Sequence, residues 1–269
     1  MVSQREQVEK FRRLHAPGRL LVLPNAWDAA SARLAEQAGA EAIATSSAAL
    51  AWCNGYADGE TMTREVVMAA AHAILRVVRL PVSVDSEAGY SPDPASVADH
   101  VSALIDLGAA GINLEDGRGP PELLAAKIRA IKAMAKARNA DVFINARCDV
   151  YLHNLATGEA ALKETLRRGS LYAEAGADGL FVPALNDIAG IRDVVQAVPL
   201  PLNILIMRAT PPIAELKAAG VRRVSAGALI GRAAYGMAER AVTMLLKEGK
   251  PDAIFATSGD CPDFNRLFG

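Results

Sequence analysis

The stretch Pro81-Val82-Ser83-Val84-Asp85-Ser86-Glu87-Ala88-Gly89-Tyr90 decides how the rest of the chain is read. Pro81 to Val84 read as a short buried strand, and the strand gives out in two carboxylates at i and i+2. Side chains alternate along a strand, so Asp85 and Glu87 leave on one side if extension continues. Gly89 then breaks the run. Two acids facing one way are costly unless a cation or a buried partner neutralises them. Oxygen-rich sites of this kind suit Mg²⁺ or Mn²⁺.

Outward from this stretch the same unit of strand, polar turn and helix recurs. Apolar strands read at 20–24, 42–45, 82–85, 111–115, 142–147, 179–182, 202–206 and 223–226. Helices follow at 28–38, 63–78, 94–107, 121–138, 159–175, 187–197, 211–219 and 229–247. The strand runs are continuously apolar rather than alternating, which marks strands covered on both faces. Gly39, Gly108, Gly176 and Gly220 stand where helix C-caps stand. Eight such units predict an α/β fold of the (β/α)8 TIM-type barrel class. A doubly wound sheet is the rival, but no GxGxxG turn follows a strand. A helix over 3–15 precedes the barrel, which occupies about 20–247 with a tail at 248–269, so 1–269 reads as a single domain.

Composition narrows the partners. The chain has 269 residues, 51% of them hydrophobic, and a net charge of −1, enough for a large core. The balanced charge leaves no footprint for nucleic acid or an anionic membrane. Cys53, Cys148 and Cys261 form no CxxC or zinc spacing and fit free thiols in a reducing cytoplasm. The segment Met1 to Gln7 is polar, without a signal-peptide core, and no apolar run reaches membrane-spanning length.

In barrels of this class the active site lies at the C-terminal strand ends. There the first strand delivers Asn25 and Asp28, and the second Thr45, Ser46 and Ser47. The third delivers Asp85 and Glu87, the fourth Glu115 and Asp116, the fifth Asn145, Arg147 and Asp149, and the seventh carries Asn203. Asp85, Glu87 and Glu115 would hold one divalent ion, directly or through its waters, with Asp58 reaching in from the Gly55–Gly59 loop as a fourth acid. Arg147 would pair bidentately with a substrate carboxylate. Ser46, Ser47 and Ala48 offer N–H groups and hydroxyls as a carboxylate or oxyanion cradle. A metal beside an arginine and such a cradle suits a small 2-oxo acid, whose enolate the metal would stabilise as a neighbouring bond breaks. Asp58 and Arg147 are the candidate catalytic residues.

These residues carry a family resemblance. Pro24-Asn25-Ala26-Trp27-Asp28, Thr45-Ser46-Ser47, Gly55-Tyr56-Ala57-Asp58-Gly59, Val84 to Tyr90, Asn113-Leu114-Glu115-Asp116 and Asn145-Ala146-Arg147 resemble, in order, the isocitrate lyase/phosphoenolpyruvate mutase superfamily. The resemblance implies a barrel whose final helix is swapped onto a neighbouring subunit, usually in a homotetramer. It implies Asp85 as the Mg²⁺ ligand, with Asp58, Glu87 and Glu115 holding its waters. Ser46, Ser47 and Ala48 would grip the substrate carboxylate and Arg147 a second acidic group, with Trp27 and Asn203 completing the substrate-binding set. Family reactions make or break C–C or P–C bonds beside a pyruvate or oxaloacetate unit.

One segment departs from the pattern. Lyases of the superfamily carry a Lys-Lys-Cys-Gly-His-type loop after strand 4, whose cysteine is the acid/base. This chain has Asp116-Gly117-Arg118-Gly119-Pro120-Pro121-Glu122, with no Cys, His or Lys, and the mutase-type lysine and asparagine are also missing. Decarboxylation needs least from that loop, so the expected activity is oxaloacetate-decarboxylase-like. The alternatives are a C–C lyase or hydrolase of the isocitrate, 2-methylisocitrate or oxaloacetate type, or a catalytically weak 2-oxo-acid-binding protein. No lysine ends a strand, which argues against a Schiff-base aldolase. His72 and His100 read as surface or packing residues, and His153 follows strand 5 near the rim. Cys148 faces away from the site if Arg147 faces in. Ser225-Ala226-Gly227-Ala228 reads as a phosphate-holding helix start or as a tight turn. The helix over 229–247 is too apolar for one stripe on a solvated surface and predicts a homo-oligomer, dimer or tetramer.

Overall fold

Leu23-Pro24-Asn25 governs how the sheet closes. Proline has no N–H to give a ladder, and in the computed structural model the first strand is cut there into β1 (Leu21–Leu23) and β2 (Asn25–Ala26). The Leu23 carbonyl accepts the Ala226 N–H at 3.3 Å, and the Pro24 carbonyl accepts the Ala44 N–H at 3.0 Å. The two pieces thus face opposite neighbours. The structure describes residues 3–249, 251–258 and 261–269.

The remaining strands are β3 (Ile43–Thr45), β4 (Val82–Asp85), β5 (Gly111–Glu115), β6 (Phe143–Arg147), β7 (Gly179–Phe181), β8 (Leu202–Leu205) and β9 (Arg223–Ser225). They pair in the order β1-β9-β8-β7-β6-β5-β4-β3-β2, parallel throughout. Nine strands therefore fill eight positions of a nearly closed TIM-type barrel. The outer layer is α2 (Ala29–Gln37), α4 (Arg64–Leu75), α5 (Pro94–Asp106), α6 (Pro121–Ala137), α7 (Gly158–Ala175), α8 (Ile188–Ala197), α9 (Ile213–Ala218) and α10 (Leu229–Thr243).

The helix α1 (Gln4–Leu14) precedes the barrel, and α3 (Ser47–Cys53), α11 (Pro251–Ser258) and α12 (Phe264–Phe268) are additions the periodicity does not announce. The final helix expected over 229–247 is α-helical only to Thr243 and continues as a π-helical turn over Met244–Glu248. Within the expected tail, positions 250, 259 and 260 lie outside the described residues.

Strand alternation splits the core in two. Val82, Val84, Ile112, Leu114, Ile144 and Ala146 point outward into the layer shared with the helices. Leu21, Leu23, Ala42, Ala44 and Phe143 point into the barrel, where Val8, Phe11 and Leu14 of α1 meet them. The α1 start is fixed by a capping box between Ser3 and Glu6. The helix plugs the N-terminal mouth with an aromatic stack: Phe11 lies 5.2 Å from Phe143 edge-on, and His15 stacks on Phe143 at 4.5 Å. Burial pushes the His15 imidazole down to about 3, so it packs as a neutral ring. Above the plug the interior turns polar. Asn113 Oδ1 accepts from Asn145 Nδ2 at 2.9 Å and from Arg223 Nη2 at 3.3 Å.

The last helices leave apolar surface uncovered. Gly231 is the sole buried residue of α10, while Leu229, Val242, Leu245 and Leu246, and Phe255 of α11, are exposed. No helix among the described residues is long and apolar enough to cross a membrane.

Truncation of the plug should show how far the barrel depends on it. Phe11→Ala is expected to cost about 3–5 kcal/mol in chemical denaturation, the range for emptying a buried aromatic position. A loss under about 1 kcal/mol would place α1 outside the cooperative core.

Candidate active site

The site grows from the end of β4. Val82 and Val84 are held in the outer layer, so alternation turns Ser83 and Asp85 into the barrel. The Asp85 N–H donates to Thr45 Oγ1 at 2.8 Å, which ties β4 to β3. Asp85 Oδ2 accepts the Ser47 N–H at 3.1 Å, while Oδ1 is buried with no partner. Ser47 is the first residue of α3, which Ser46 caps by accepting the Ala49 N–H. The N–H expected in a substrate cradle therefore serves Asp85. The Ser47 hydroxyl and Ala48, in the same first turn, are what the cradle retains.

The other acids gather around this carboxylate. Glu115 ends β5 in register with Arg147 at the end of β6, and Arg147 Nη1 lies 2.5 Å from Glu115 Oε2. Burial nevertheless pushes the Glu115 carboxyl up to about 8, with Arg147 working against it and Asp85 with it. Burial also pushes Glu87 up to about 6, and Asp85 and Asp58 add to the rise. Asp58 stands on an exposed loop. Its carboxyl is raised by partial burial and by Asp85, with Arg147 and the Ser47 side chain opposing. Both Glu87 oxygens are engaged: Oε1 accepts from Tyr90 Oη at 2.7 Å and Oε2 from the Glu60 N–H at 2.6 Å.

Arg147 is held from behind by Asp149 and Asp116, which the sequence placed at the strand ends, and through them by Arg168 and Tyr172, which it did not single out. Its Nε donates to Asp149 Oδ1 at 2.7 Å. The Asp149 N–H donates to Asp116 Oδ1 at 2.9 Å. Asp116 Oδ2 accepts from Arg168 Nη1 at 2.8 Å and from the Tyr172 hydroxyl. Arg168 and Tyr172 are i and i+4 on α7, one face of the helix. Burial opposes the Arg147 charge, but Glu115, Asp149 and Asp85 together outweigh it and raise its pKa.

The remaining candidates fall into two groups. Asn203 is fully buried beneath the rim, with Oδ1 accepting from Ser225 Oγ and Nδ2 unpartnered. Trp27 lies against α10, its ring 6.2 Å from that of Tyr235. His153 Nε2 is 3.7 Å from Asp149 Oδ2. His100 is buried beside the Tyr90 ring, a packing role. Cys148 is buried in the outer core and its thiol is pushed up to about 12. The turn after β9 is a tight one, fixed by the Gly227 N–H donating to Asn25 Oδ1 at 2.8 Å. Lys127 reaches under the short loop after β5 from α6, and its Nζ donates to the Ala88 carbonyl at 2.6 Å. No lysine in the loop itself signals this, because the residue is supplied by a helix.

These donors fit a hydrated Mg²⁺. Among the described residues no three His, Cys, Asp or Glu side chains converge to hold a metal ion by themselves. Mg²⁺ keeps most of its waters and takes one or two carboxylates. Asp85 Oδ1, buried and unpartnered, is the atom free to be the direct ligand, and the surrounding acids can accept hydrogen bonds from the waters.

A barrel of parallel strands with acids and one arginine at the C-terminal rim is the class defined so far. The chain belongs to the phosphoenolpyruvate phosphomutase family, whose family model matches residues 11–246. It is 42% identical to a crystal structure from Burkholderia cenocepacia J2315 described as a candidate phosphonomutase, with a TM-score of 0.84 over 88% of this chain and 99% of that one. An uncharacterized protein of Mycobacterium tuberculosis is 40% identical over 87% of this chain and 88% of its own length. The 2-methylisocitrate lyase of Escherichia coli is 30% identical over 91% of this chain and 89% of its own.

The raised Glu115 carboxyl sets a pH test. Its pKa lies near 8 in the folded chain against 4.5 for the free side chain, so the folded state holds more protons between them. Stability therefore falls as pH rises through that window. Below pH 6.5 the buried neutral rings of His15 and His100, at about 3 and 4, give the opposite slope. The clean window is pH 6.5 to about 8. There the metal-free chain should lose up to about 2 kcal/mol, one proton at about 1.4 kcal/mol per pH unit. Saturating Mg²⁺ should flatten the slope by favouring the ionised carboxylate. A stability profile that rises with pH in the metal-free chain would refute this assignment.

Proposed function

We propose that the chain is an Mg²⁺-dependent enzyme, with Mn²⁺ able to substitute, acting on small 2-oxo carboxylates, and that decarboxylation of oxaloacetate is the reaction it fits best. The observation that carries the reading is the buried, unpartnered Asp85 oxygen set among further acids. Asp85 would ligate the metal directly, while Asp58, Glu87 and Glu115 accept hydrogen bonds from its waters. When bound, Mg²⁺ supplies positive charge against which negative charge develops on the substrate. The Ser47 hydroxyl and Ala48, in the first turn of the helix that Ser46 caps, would hold the carboxylate next to the oxo group, with Asn203 below and Trp27 at the α10 side of the pocket. Arg147 would hold the distal acid. Its Nε and Nη1 are already turned to Asp149 and Glu115, so Nη2 is the nitrogen left for the substrate, and a single contact replaces the expected fork.

Decarboxylation is favoured by what the protein offers for proton transfer. The loop Gly117–Pro120 has no side chain that titrates near neutrality, Lys127 is tied to the Ala88 carbonyl, and the Cys148 thiol faces the outer core. Loss of CO₂ asks for no proton on the leaving group. The second reading is a C–C lyase, favoured by the 30% identity to a 2-methylisocitrate lyase over nearly the whole chain. It requires a proton donor in place of the missing loop cysteine. The free thiols Cys53, Cys148 and Cys261 suit a cytoplasmic setting for either reaction.

The deciding assay compares oxaloacetate, isocitrate and 2-methylisocitrate with Mg²⁺. Oxaloacetate turnover above the metal-only background is expected, with a loss of more than about 100-fold in Asp85→Ala. A variant with all three cysteines changed to serine should keep the activity. Efficient 2-methylisocitrate cleavage that disappears with the cysteines would replace the decarboxylase reading with the lyase reading. Background-level turnover of all three substrates, with oxalate still bound, would leave a binding protein.

The uncovered apolar residues of α10 and α11 call for a partner subunit, since exposed patches of this kind mark association surfaces. A dimer or tetramer with the final helices packed on neighbouring barrels is expected by light scattering. A monomer mass at micromolar concentration would count against it.

A further inference from the structure

Six non-glycine residues among those described have left-handed backbones, and three of them, Glu60 (φ 55°), Glu87 (φ 46°) and Tyr90 (φ 56°), are bonded to one another. Long side chains are rarely found in this conformation, and they persist there only when their surroundings over-determine them. Here the three form a closed ring. The Glu60 N–H donates to Glu87 Oε2 at 2.6 Å, the Tyr90 hydroxyl donates to Glu87 Oε1 at 2.7 Å, and the Tyr90 N–H donates to Glu60 Oε1 at 2.7 Å.

The two sides of the ring differ in rigidity. Glu87 and Tyr90 belong to the turn after β4, which is pinned from several directions. The Glu115 N–H donates to the Glu87 carbonyl at 2.9 Å, Lys127 holds the Ala88 carbonyl, and the Tyr90 ring sits edge-on to buried His100 at 5.5 Å. Gly89 is packed so closely that a Cβ there would fall 2.7 Å from Val97. Glu60 belongs to the other side, a loop exposed at Asp58, Gly59, Glu60 and Thr61. Gly55 and Gly59 give that loop two left-handed joints, at φ 79° and 98°. The loop is tied by the Tyr56 N–H to the Ala51 carbonyl and by Thr61 Oγ1 to the Ala57 carbonyl, and Asp58 meets the Ser47 side chain, so what the ring adds is a hold on the exposed span that ends at Glu60.

We propose that Glu60, Glu87 and Tyr90 are positioning residues, a latch that docks the 55–61 loop on the rigid turn after β4 and so fixes Asp58 over the rim. The role of Asp58 in metal binding rests on the function proposed above, whereas the docking of the loop does not.

Hydrogen exchange on the metal-free chain tests the docking directly. Tyr90→Phe removes the hydroxyl and keeps the ring on His100, and Glu60→Ala removes the acceptor for the Tyr90 N–H. Both should raise exchange at the amides of residues 58–61 by about ten-fold or more, the effect of losing one charge-assisted hydrogen bond. Strand amides should be unaffected, and Glu60→Gln, which keeps an acceptor, should retain most of the protection. Unchanged loop exchange in both Tyr90→Phe and Glu60→Ala would overturn the latch.

A double-mutant cycle tests what the docking is for. Mg²⁺-supported oxalate binding, measured by calorimetry, should be weakened by Tyr90→Phe and by Asp58→Ala, and the double variant should be no weaker than Asp58→Ala alone. Fully additive losses would overturn the positioning role. Wild-type protein that binds no oxalate with Mg²⁺ would remove the functional reading, and the exchange result would then decide the latch by itself.

Discussion

The register of β5 against β6 places Glu115 directly beside Arg147, and much of the site follows from that pairing. The guanidinium has five donors but a single positive charge. It faces Glu115, Asp149 and Asp85, with Glu87 and Asp58 close behind. One cation cannot satisfy so many carboxylates; burial raises the carboxyls of Glu115, Glu87 and Asp58, and the neighbouring acids, Asp85 above all, add to the rise. The excess appears also as a buried Asp85 oxygen with nothing to bind. Backbone donors carry part of the load: the Ser47 N–H on Asp85 and the Glu60 N–H on Glu87. A divalent ion would neutralise the rest, which is why the arrangement fits the proposed metal although no tight cluster of direct ligands stands among the described residues.

Holding Arg147 requires a second rank of charges. Asp149 and Asp116 are buried acids, and Arg168 closes the chain from α7. Buried ion pairs recover little net stability once desolvation is counted. Their value here is geometric. Each bond in the series from Tyr172 and Arg168 to Asp116, then to Asp149 and Arg147, fixes a direction. The loop after β6 is thereby fastened to the loop after β5, and the guanidinium is left with little freedom to turn.

The barrel and its rim are legible in the periodicity of the sequence. Continuous apolar runs gave the strands, and Asp85, Glu115 and Arg147 lie at the ends where those runs stop. What stayed hidden had no periodic signature. The break at Pro24 splits a strand that is otherwise a single apolar run. The short helix α3 hangs on one serine cap inside a small-residue segment. Arg168 and Tyr172 look like ordinary polar positions on α7 until tertiary packing buries them. Lys127 contributes to the β4 turn from a helix about forty residues away, a contact that spacing cannot reveal. Glu87 was legible as a rim acid, but its hold on Glu60 depends on left-handed backbones at non-glycine residues, which composition does not announce.

The hidden helix also connects the site to the uncovered surface of the protein. Gly231 brings α10 so close to α3 that a Cβ would fall 2.9 Å from Ala49 and 3.4 Å from the Trp27 ring. Ala49 is in the first turn of α3, and the N–H of that helix's first residue is the one holding Asp85. Trp27 occupies the same crevice, beneath Tyr235. The helix that leaves most of its apolar surface uncovered is therefore packed, at its single buried residue, on the segment that aims the central carboxylate. Gly231 thus joins the uncovered face of α10 to the segment whose first N–H holds Asp85, so any subunit that packed on α10 would bear on α3 through this one residue.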